Sequence, residues 1–124
     1  MDIRNKDDIR LIIDQFYHKV LQDNMLKDIF LIIAKIDLES HMPLIYDFWE
    51  SIVLENHSYK GSPIQAHLDL NKKFNLSKKH FDKWLLLFNE TIDDNYFGEN
   101  ALKMKNSAFS IAVVMQSKIS NSML

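Results

Sequence analysis

Apolar residues recur at intervals of three and four along most of the chain, which is the spacing of an amphipathic helix. The first such stretch begins at Asp7 and Asp8, whose negative charge favours a helix start. Its apolar positions are Ile9, Ile12, Ile13, Phe16, Tyr17, Val20 and Leu21, and His18 points away from them. A second, shorter helix is predicted on Leu26, Ile29, Phe30 and Ile33. We expect it to end at a break near 35–37.

The third apolar stretch, from about Ser40 to Glu55, is apolar on two sides. One side carries Leu44, Ile45, Phe48, Ile52 and Val53, with His41 in line with them. The other side carries Met42, Tyr46, Trp49 and Val53. This pattern predicts a helix that is enclosed from two directions. Proline is tolerated only in the first turn of a helix, so Pro43 should place the helix start near Ser40 or kink the helix there.

Two more helices are predicted towards the end of the chain. Ser77 is a suitable cap for the first of them. The apolar face of that helix is Phe81, Trp84, Leu85, Phe88 and Ile92. Gly98 should interrupt the chain before the last helix. The last helix carries Ala101, Met104, Ala108, Ile111, Ala112, Met115 and Ile119, with Phe109 and Val113 on its edge.

The composition favours an all-α protein that forms a single domain over 1–124. The 124 residues include only two glycines and two prolines, whereas sheet proteins of this size use many turns that favour those residues. A chain of this length can bury enough surface to fold without disulfides. It has no cysteine, which excludes a disulfide scaffold, a cysteine-rich zinc site and a thiol nucleophile.

The charge pattern argues against nucleic-acid and membrane partners. The 15 basic and 17 acidic residues leave a net charge of -2, without the single-sign field that drives nucleic-acid binding. The first eight residues are charged rather than apolar, so no secretory signal is expected. No apolar run approaches the ~20 residues that span a bilayer. We therefore expect a cytoplasmic protein.

A short helix around His67 is the most informative part of the polar central region. Ser62, Pro63 and Gln65 match the cap, first position and capping-box residue of a helix start. A histidine held rigidly among aliphatic residues suits an axial metal or haem ligand. A buried structural histidine needs the same surroundings, and the residues alone leave both interpretations open. Those aliphatic neighbours are Ile64, Leu68 and Leu70.

Three further residues place hydrogen-bond donors on helix faces that otherwise look like core. They are Tyr17, His41 and Trp84, each on a different predicted helix. Any one of them could be a core residue whose polar atom bonds to the backbone. Together with His67, they would line a cavity that has one strong ligand on one side and three donors on the other.

Other chemistries find little support in the sequence. The five histidines lack the spacing of a zinc site, since none follows another at three or four residues. The sequence shows no Ser-His-Asp pattern, and neither a phosphate-binding glycine loop nor an EF-hand loop occurs.

The chain resembles the group III truncated haemoglobins of bacteria over nearly its whole length. The segments 67–70 and 81–88 carry the most specific part of this resemblance. The other segments are 16–17, 26–30 and 59–63, together with His41 and the pair Phe48-Trp49 that follows it by seven and eight residues. The resemblance implies a truncated globin fold, in which the B and E helices cross the G and H helices in a two-over-two sandwich that encloses haem b.

The resemblance also assigns roles to individual residues. His67 matches the proximal histidine that ligates the ferrous haem iron. Tyr17, His41 and Trp84 match the distal residues that donate hydrogen bonds to bound oxygen. The further haem-pocket residues it implies are Phe30, Ile45, Phe48, Phe74 and Phe81. Pro43 departs from the pattern that the resemblance leads us to expect, and it could let His41 swing and gate ligand entry.

Oxygen binding or scavenging, or reaction with NO, is the function that the resemblance implies, rather than bulk transport. O2, NO and CO are the expected ligands, the protein is expected to be a monomer, and NO dioxygenase activity would need an unidentified reductase. Polar distal donors would also allow peroxidase-like activity. The alternative is a cofactor-free helical interaction module that binds a partner through the apolar face containing Trp49.

Overall fold

Four helices make up the part of the chain that the computed structural model describes. That part is residues 1–55 and 77–122, with side chains described throughout except at 30–41 and 118–122. The helices are α1 (Lys6–Gln22), α2 (Lys27–Leu54), α3 (Lys78–Asn95) and α4 (Glu99–Ser122). No strand occurs in these two ranges. His67 and Phe74 lie outside the described residues, and the side chains of Phe30 and His41 lie outside the described side chains.

The helices pack as two pairs. α1 packs against both α2 and α3, and α4 packs against both α3 and α2. Two contacts show that α1 and α3 run in opposite directions. Asp23, just after α1, pairs with Lys83 near the start of α3 at 3.4 Å. Asp8, near the start of α1, bonds to Tyr96, just after α3. This is the two-over-two arrangement expected from the sequence.

The core lies between the two pairs, on the faces that the apolar periodicity predicts. On α1 the buried positions are Ile9, Ile12, Ile13, Phe16, Tyr17 and Val20. On α4 they are Ala101, Met104, Ala108, Ala112 and Met115. Phe109 and Val113 are exposed, as expected for residues at the edge of that face. Three of these five buried residues of α4 are alanines.

Two predictions for α2 are wrong. The helix is continuous from Lys27 to Leu54, without the break expected near 35–37 or a new start near Ser40. Residues 35–37 include neither glycine nor proline, so their helix propensities cost little. Pro43 lies inside the helix, although proline cannot donate to the carbonyl four residues earlier. Burial of Trp49 and Val53, which are 4% and 3% exposed, stabilises the segment that follows it.

The prediction that α2 is enclosed from two directions is wrong at Leu44. Leu44 was expected on the apolar stripe, but 56% of it is exposed. Ile45, Phe48 and Ile52 are half-buried, whereas Trp49 and Val53 are buried. The line through Trp49 therefore faces the core most directly.

Local caps form at the starts of α1 and α3. Asn5 accepts a hydrogen bond from the backbone N–H of Asp8 at 3.0 Å, which satisfies one of the free donors of the first turn of α1. Ser77 caps α3 as predicted, and its N–H donates to Nδ1 of His80 at 3.0 Å.

The start of α4 is capped from the other end of the chain. Asp2 accepts backbone hydrogen bonds from Asn100 and Ala101, both at 2.9 Å, where a local cap residue would normally do so. Gly98 stands at the local cap position with φ of 141°, and a Cβ there would lie 2.6 Å from Cγ of Asp2. Partial burial acts to raise the pKa of Asp2, but backbone hydrogen bonds outweigh it and leave that pKa below its ordinary value.

Replacing Asp2 by alanine should destabilise the protein by about 1 kcal/mol, the typical cost of losing a helix cap. Urea unfolding at neutral pH measures the change. Because the folded-state pKa of Asp2 lies below the unfolded value, its contribution is present above that unfolded value and disappears as pH falls through the folded value. Asp7→Ala removes an exposed carboxylate at the start of α1 and is the matched control. Equal losses of stability in Asp2→Ala and Asp7→Ala would contradict the role of Asp2 as the cap of α4.

Candidate functional site

An aromatic cluster joins three helices at the centre of the described structure. Phe16 of α1 meets Phe88 of α3 edge-on, with ring centroids 5.1 Å apart, and meets Trp84 of α3 edge-on at 5.8 Å. Trp49 of α2 lies 5.0 Å from Phe88. These side chains come from three segments that are far apart in the sequence, and their contacts set how α1, α2 and α3 pack at this point.

Tyr17 lies at one edge of this cluster. Its ring contacts that of Phe16 edge-on at 5.5 Å, and the residue is only 9% exposed. Burial, with a smaller contribution from the nearby Tyr46, raises the pKa of Tyr17 well above its ordinary value. The phenol therefore keeps its proton at physiological pH and remains a hydrogen-bond donor.

Trp84 of α3 also contacts Phe16 edge-on. Its indole is partly buried against the core and stacks on Phe88, with centroids 5.2 Å apart and ring planes within 9° of parallel. Within the part of the chain that the structure describes, the indole N–H has no hydrogen-bond acceptor. Tryptophan N–H groups usually find a partner when buried, so this one is suited to donate to a ligand.

The predicted site residues of α2 and α3 occupy two different environments. Ile45 and Phe48 form part of the half-buried stripe of α2, and Phe48 contacts Trp49 edge-on at 5.2 Å. Phe81, near the start of α3, is buried in the core at 5% exposure. Tyr17 and Trp84 thus contact the same ring, that of Phe16. Phe48 is connected to Trp84 through the rings of Trp49 and Phe88.

Sequence reasoning assigned Phe16 and Phe88 to the core without giving them any part in the site. The sequence did contain an indication for Phe88, because it follows Trp84 by four residues and so lies on the same face of the helix. The contact of Trp49 with Phe88 carried no such signal, because the two residues lie on different helices. Trp49 is buried, so in this fold it is not available to bind a partner protein.

Ionic and polar contacts hold α1 against α2. The Tyr46 hydroxyl donates to the Asp14 carboxylate, and the Arg10 guanidinium lies over the Tyr46 ring, 5.4 Å from its centroid. Nζ of Lys6 lies 2.9 Å from Asp47 of α2. Burial and the bond to Asp14 raise the pKa of Tyr46 to about 12. These contacts fix the relative position of the two helices that carry Tyr17 and the half-buried stripe.

An open groove of about 770 Å³ between α2 and α4 is not a rival distal site. It is lined by Ile52 and Ile111 and by polar side chains from the first half of α4, and neither Tyr17 nor Trp84 borders it. Among the described residues, no three histidine, aspartate or glutamate side chains are grouped to hold a metal ion. None of the helices in the described residues has an apolar stretch long enough to cross a bilayer.

Comparison with known proteins identifies the class to which this fold and site belong. The family model of bacterial-like globins matches residues 2–118. The chain therefore belongs to the bacterial-like globin family, for which haem is the implied cofactor and a gas such as O2 the implied ligand.

The more specific resemblance to group III truncated haemoglobins is confirmed as well. The chain is 30% identical over 120 residues to the group 3 truncated hemoglobin ctb of Campylobacter jejuni, covering 94% of this chain and 89% of that protein. The crystal structure of the group III truncated hemoglobin from Campylobacter jejuni matches it with a TM-score of 0.83, over 96% of this chain and 94% of that one. The all-α, two-over-two truncated globin fold predicted from the sequence is therefore confirmed.

Replacing Tyr46 by phenylalanine should lower stability and change its dependence on alkaline pH. The lost hydrogen bond to Asp14 should cost about 1 kcal/mol at pH 7. Because the folded pKa is about 12 and the ordinary value is 10.0, the contribution of Tyr46 is complete below pH 10 and is lost as pH rises towards 12. Urea unfolding at several pH values tests this, and stability should fall less steeply across that window in the variant.

Tyr96 provides a comparison, because it donates to Asp8 at 2.8 Å and its pKa is also raised to about 12 by burial and that bond. Tyr96→Phe should remove the contribution of Tyr96 to the fall in stability at alkaline pH. The Tyr46→Phe/Tyr96→Phe double variant should lack the contributions of both tyrosines. A double variant with the same pH slope as wild type would contradict the assignment.

Proposed function

We propose that this protein is a haem b globin in which His67 ligates the ferrous iron and Tyr17, Trp84 and His41 donate hydrogen bonds to bound oxygen. The observation that carries the proposal is the convergence of Tyr17 and Trp84, from two helices, on the ring of Phe16. The function that follows is to hold oxygen for scavenging or for reaction with NO, rather than to transport it.

The described residues fit a haem in both shape and chemistry. A flat, largely apolar group needs an apolar wall, and Ile45 and Phe48 are half-buried apolar residues along α2. A polar diatomic ligand needs donors beside that wall. Tyr17 keeps its proton, and the Trp84 indole N–H has no acceptor within the described residues.

The number of donors decides between holding and transporting oxygen. Haem supplies the iron that binds the gas, and a ligand that gains negative charge on binding accepts hydrogen bonds from Tyr17 and Trp84. A hydrogen bond to a charged group is worth about 1.5–3 kcal/mol net. Two such bonds would slow dissociation by roughly 10²–10⁴-fold, since ~1.4 kcal/mol is a factor of ten. A protein that releases oxygen so slowly is a poor carrier.

Slow release suits a protein that keeps oxygen in place until a second molecule reacts with it. NO is a suitable second reactant, because it is small enough to enter a pocket that already admits O2. Repeated turnover of NO would require a reductase to restore the ferrous state. The cofactor-free interaction module is disfavoured by the burial of Trp49, one residue of the apolar face through which it would bind a partner.

Replacing His67 by alanine tests the proximal ligand. Purified wild-type protein should be red and show a strong Soret band, and His67→Ala should lose haem or show an altered spectrum. His18→Ala is the matched control, because His18 is an exposed histidine whose side chain lies 3.0 Å from Gln22 on the surface of α1. A His67→Ala protein that is folded and has an unchanged haem spectrum would overturn the assignment.

Replacing Tyr17 or Trp84 by phenylalanine tests the distal donors. Each variant should release O2 faster by about 10- to 100-fold, the loss expected for one hydrogen bond to a charged acceptor. Stopped-flow measurement of the O2 dissociation rate gives the change. Tyr96→Phe serves as the control, since it removes a buried phenol that bonds to Asp8. Unchanged rates in both variants would refute the distal donors, while the haem assignment would stand.

A further inference from the structure

We propose that Phe88 is a positioning residue that fixes the plane of the Trp84 indole and so aims its N–H at the bound ligand. This inference rests on the proposed function, because it concerns how one of the proposed donors is oriented. Phe88 itself would not touch the ligand, and it would act only through Trp84.

The geometry restricts the indole on two sides. Phe88 covers one face of Trp84, with the ring planes within 9° of parallel, and Phe16 meets the indole at an angle of 89°. A rotation of the indole about its Cβ–Cγ bond would tilt its plane off Phe88 or drive it into Phe16.

Phe88 is itself held in place, which is what a positioning role requires. It is 1% exposed, so it has no room to move into solvent. Phe16 meets it edge-on at 5.1 Å, and Trp49 from α2 contacts it at 5.0 Å. The orientation of Trp84 therefore depends on rings from all three helices that meet in the aromatic cluster.

Orientation matters because the indole N–H is a single donor that lies in the plane of the ring. Hydrogen bonds weaken steeply once the donor angle falls below about 120°. A leucine at position 88 would preserve an apolar side chain but remove the flat surface on which the indole rests. The indole would then sample several orientations, and only some of them would point the N–H at the ligand.

A double-mutant cycle tests this dependence on Trp84. Phe88→Leu is made in the wild type and in Trp84→Phe, and the O2 dissociation rate is measured in all four proteins. We expect Phe88→Leu to raise the rate about 5- to 10-fold in the wild-type background, part of the loss of one hydrogen bond. In the Trp84→Phe background we expect less than about a 2-fold change, because no indole remains to be positioned.

Spectroscopy of the ferrous CO complex provides a second test that does not depend on oxygen release. The C–O stretching frequency reports on donors near the ligand, so Phe88→Leu should shift and broaden this band in the direction of Trp84→Phe. The NMR signal of the Trp84 indole N–H, assigned by its loss in Trp84→Phe, should show greater mobility in Phe88→Leu.

Ile92→Val is the matched control for a loosened core. Ile92 follows Phe88 by one helical turn and is fully buried, and it has no ring face for the indole. Its substitution should leave the dissociation rate and the C–O band unchanged. If Phe88→Leu does not fold, Phe88→Met replaces it in the cycle, because methionine also removes the flat ring while filling the space.

The outcomes separate the two proposals. An unchanged rate in Trp84→Phe would refute Trp84 as a donor and with it the role of Phe88. A raised rate in Trp84→Phe, together with an equal effect of Phe88→Leu in both backgrounds, would overturn the positioning role alone. Phe88 would then act on the pocket through core packing.

Discussion

The contact of four aromatic rings from three helices is the constraint on which the candidate site depends. Phe16, Phe88, Trp84 and Trp49 bury large side chains where α1, α2 and α3 meet, and aromatic rings carry both area and preferred orientations. A helix that shifted along its axis would lose several of these contacts at once. The packing that stabilises the core therefore also determines where Tyr17 and Trp84 lie.

A second set of contacts closes the structure around the start of α1 and the corner between α3 and α4. Asp2 caps α4, Tyr96 bonds to Asp8, and the backbone N–H of Phe97 donates to the carbonyl of Met1 at 2.9 Å. These contacts join residues 88 to 98 positions apart. They involve none of the proposed ligand-binding residues, so stability at this corner can change without altering the chemistry of the site.

The sequence predicted some features of the site residues and not others. Periodicity placed Tyr17 on the buried face of α1 and His18 away from it, because a helical face is a local property. The resemblance to the truncated haemoglobins named the candidate donors, because it depends on residue types at particular positions. Neither kind of reasoning revealed Phe88 as the surface behind Trp84, since ring planes follow from packing among helices.

What the sequence determined by itself was the all-α class, the buried faces of α1, α3 and α4, and the family resemblance, since each depends on residue type and short-range spacing. The tertiary structure decided that α2 continues through Pro43, that Trp49 rather than Leu44 faces the core, and that Asp2 caps a helix that starts near position 99. Each of these depends on contacts between residues far apart in the chain. Such contacts can outweigh a local preference of a few kcal/mol, and no local pattern records them.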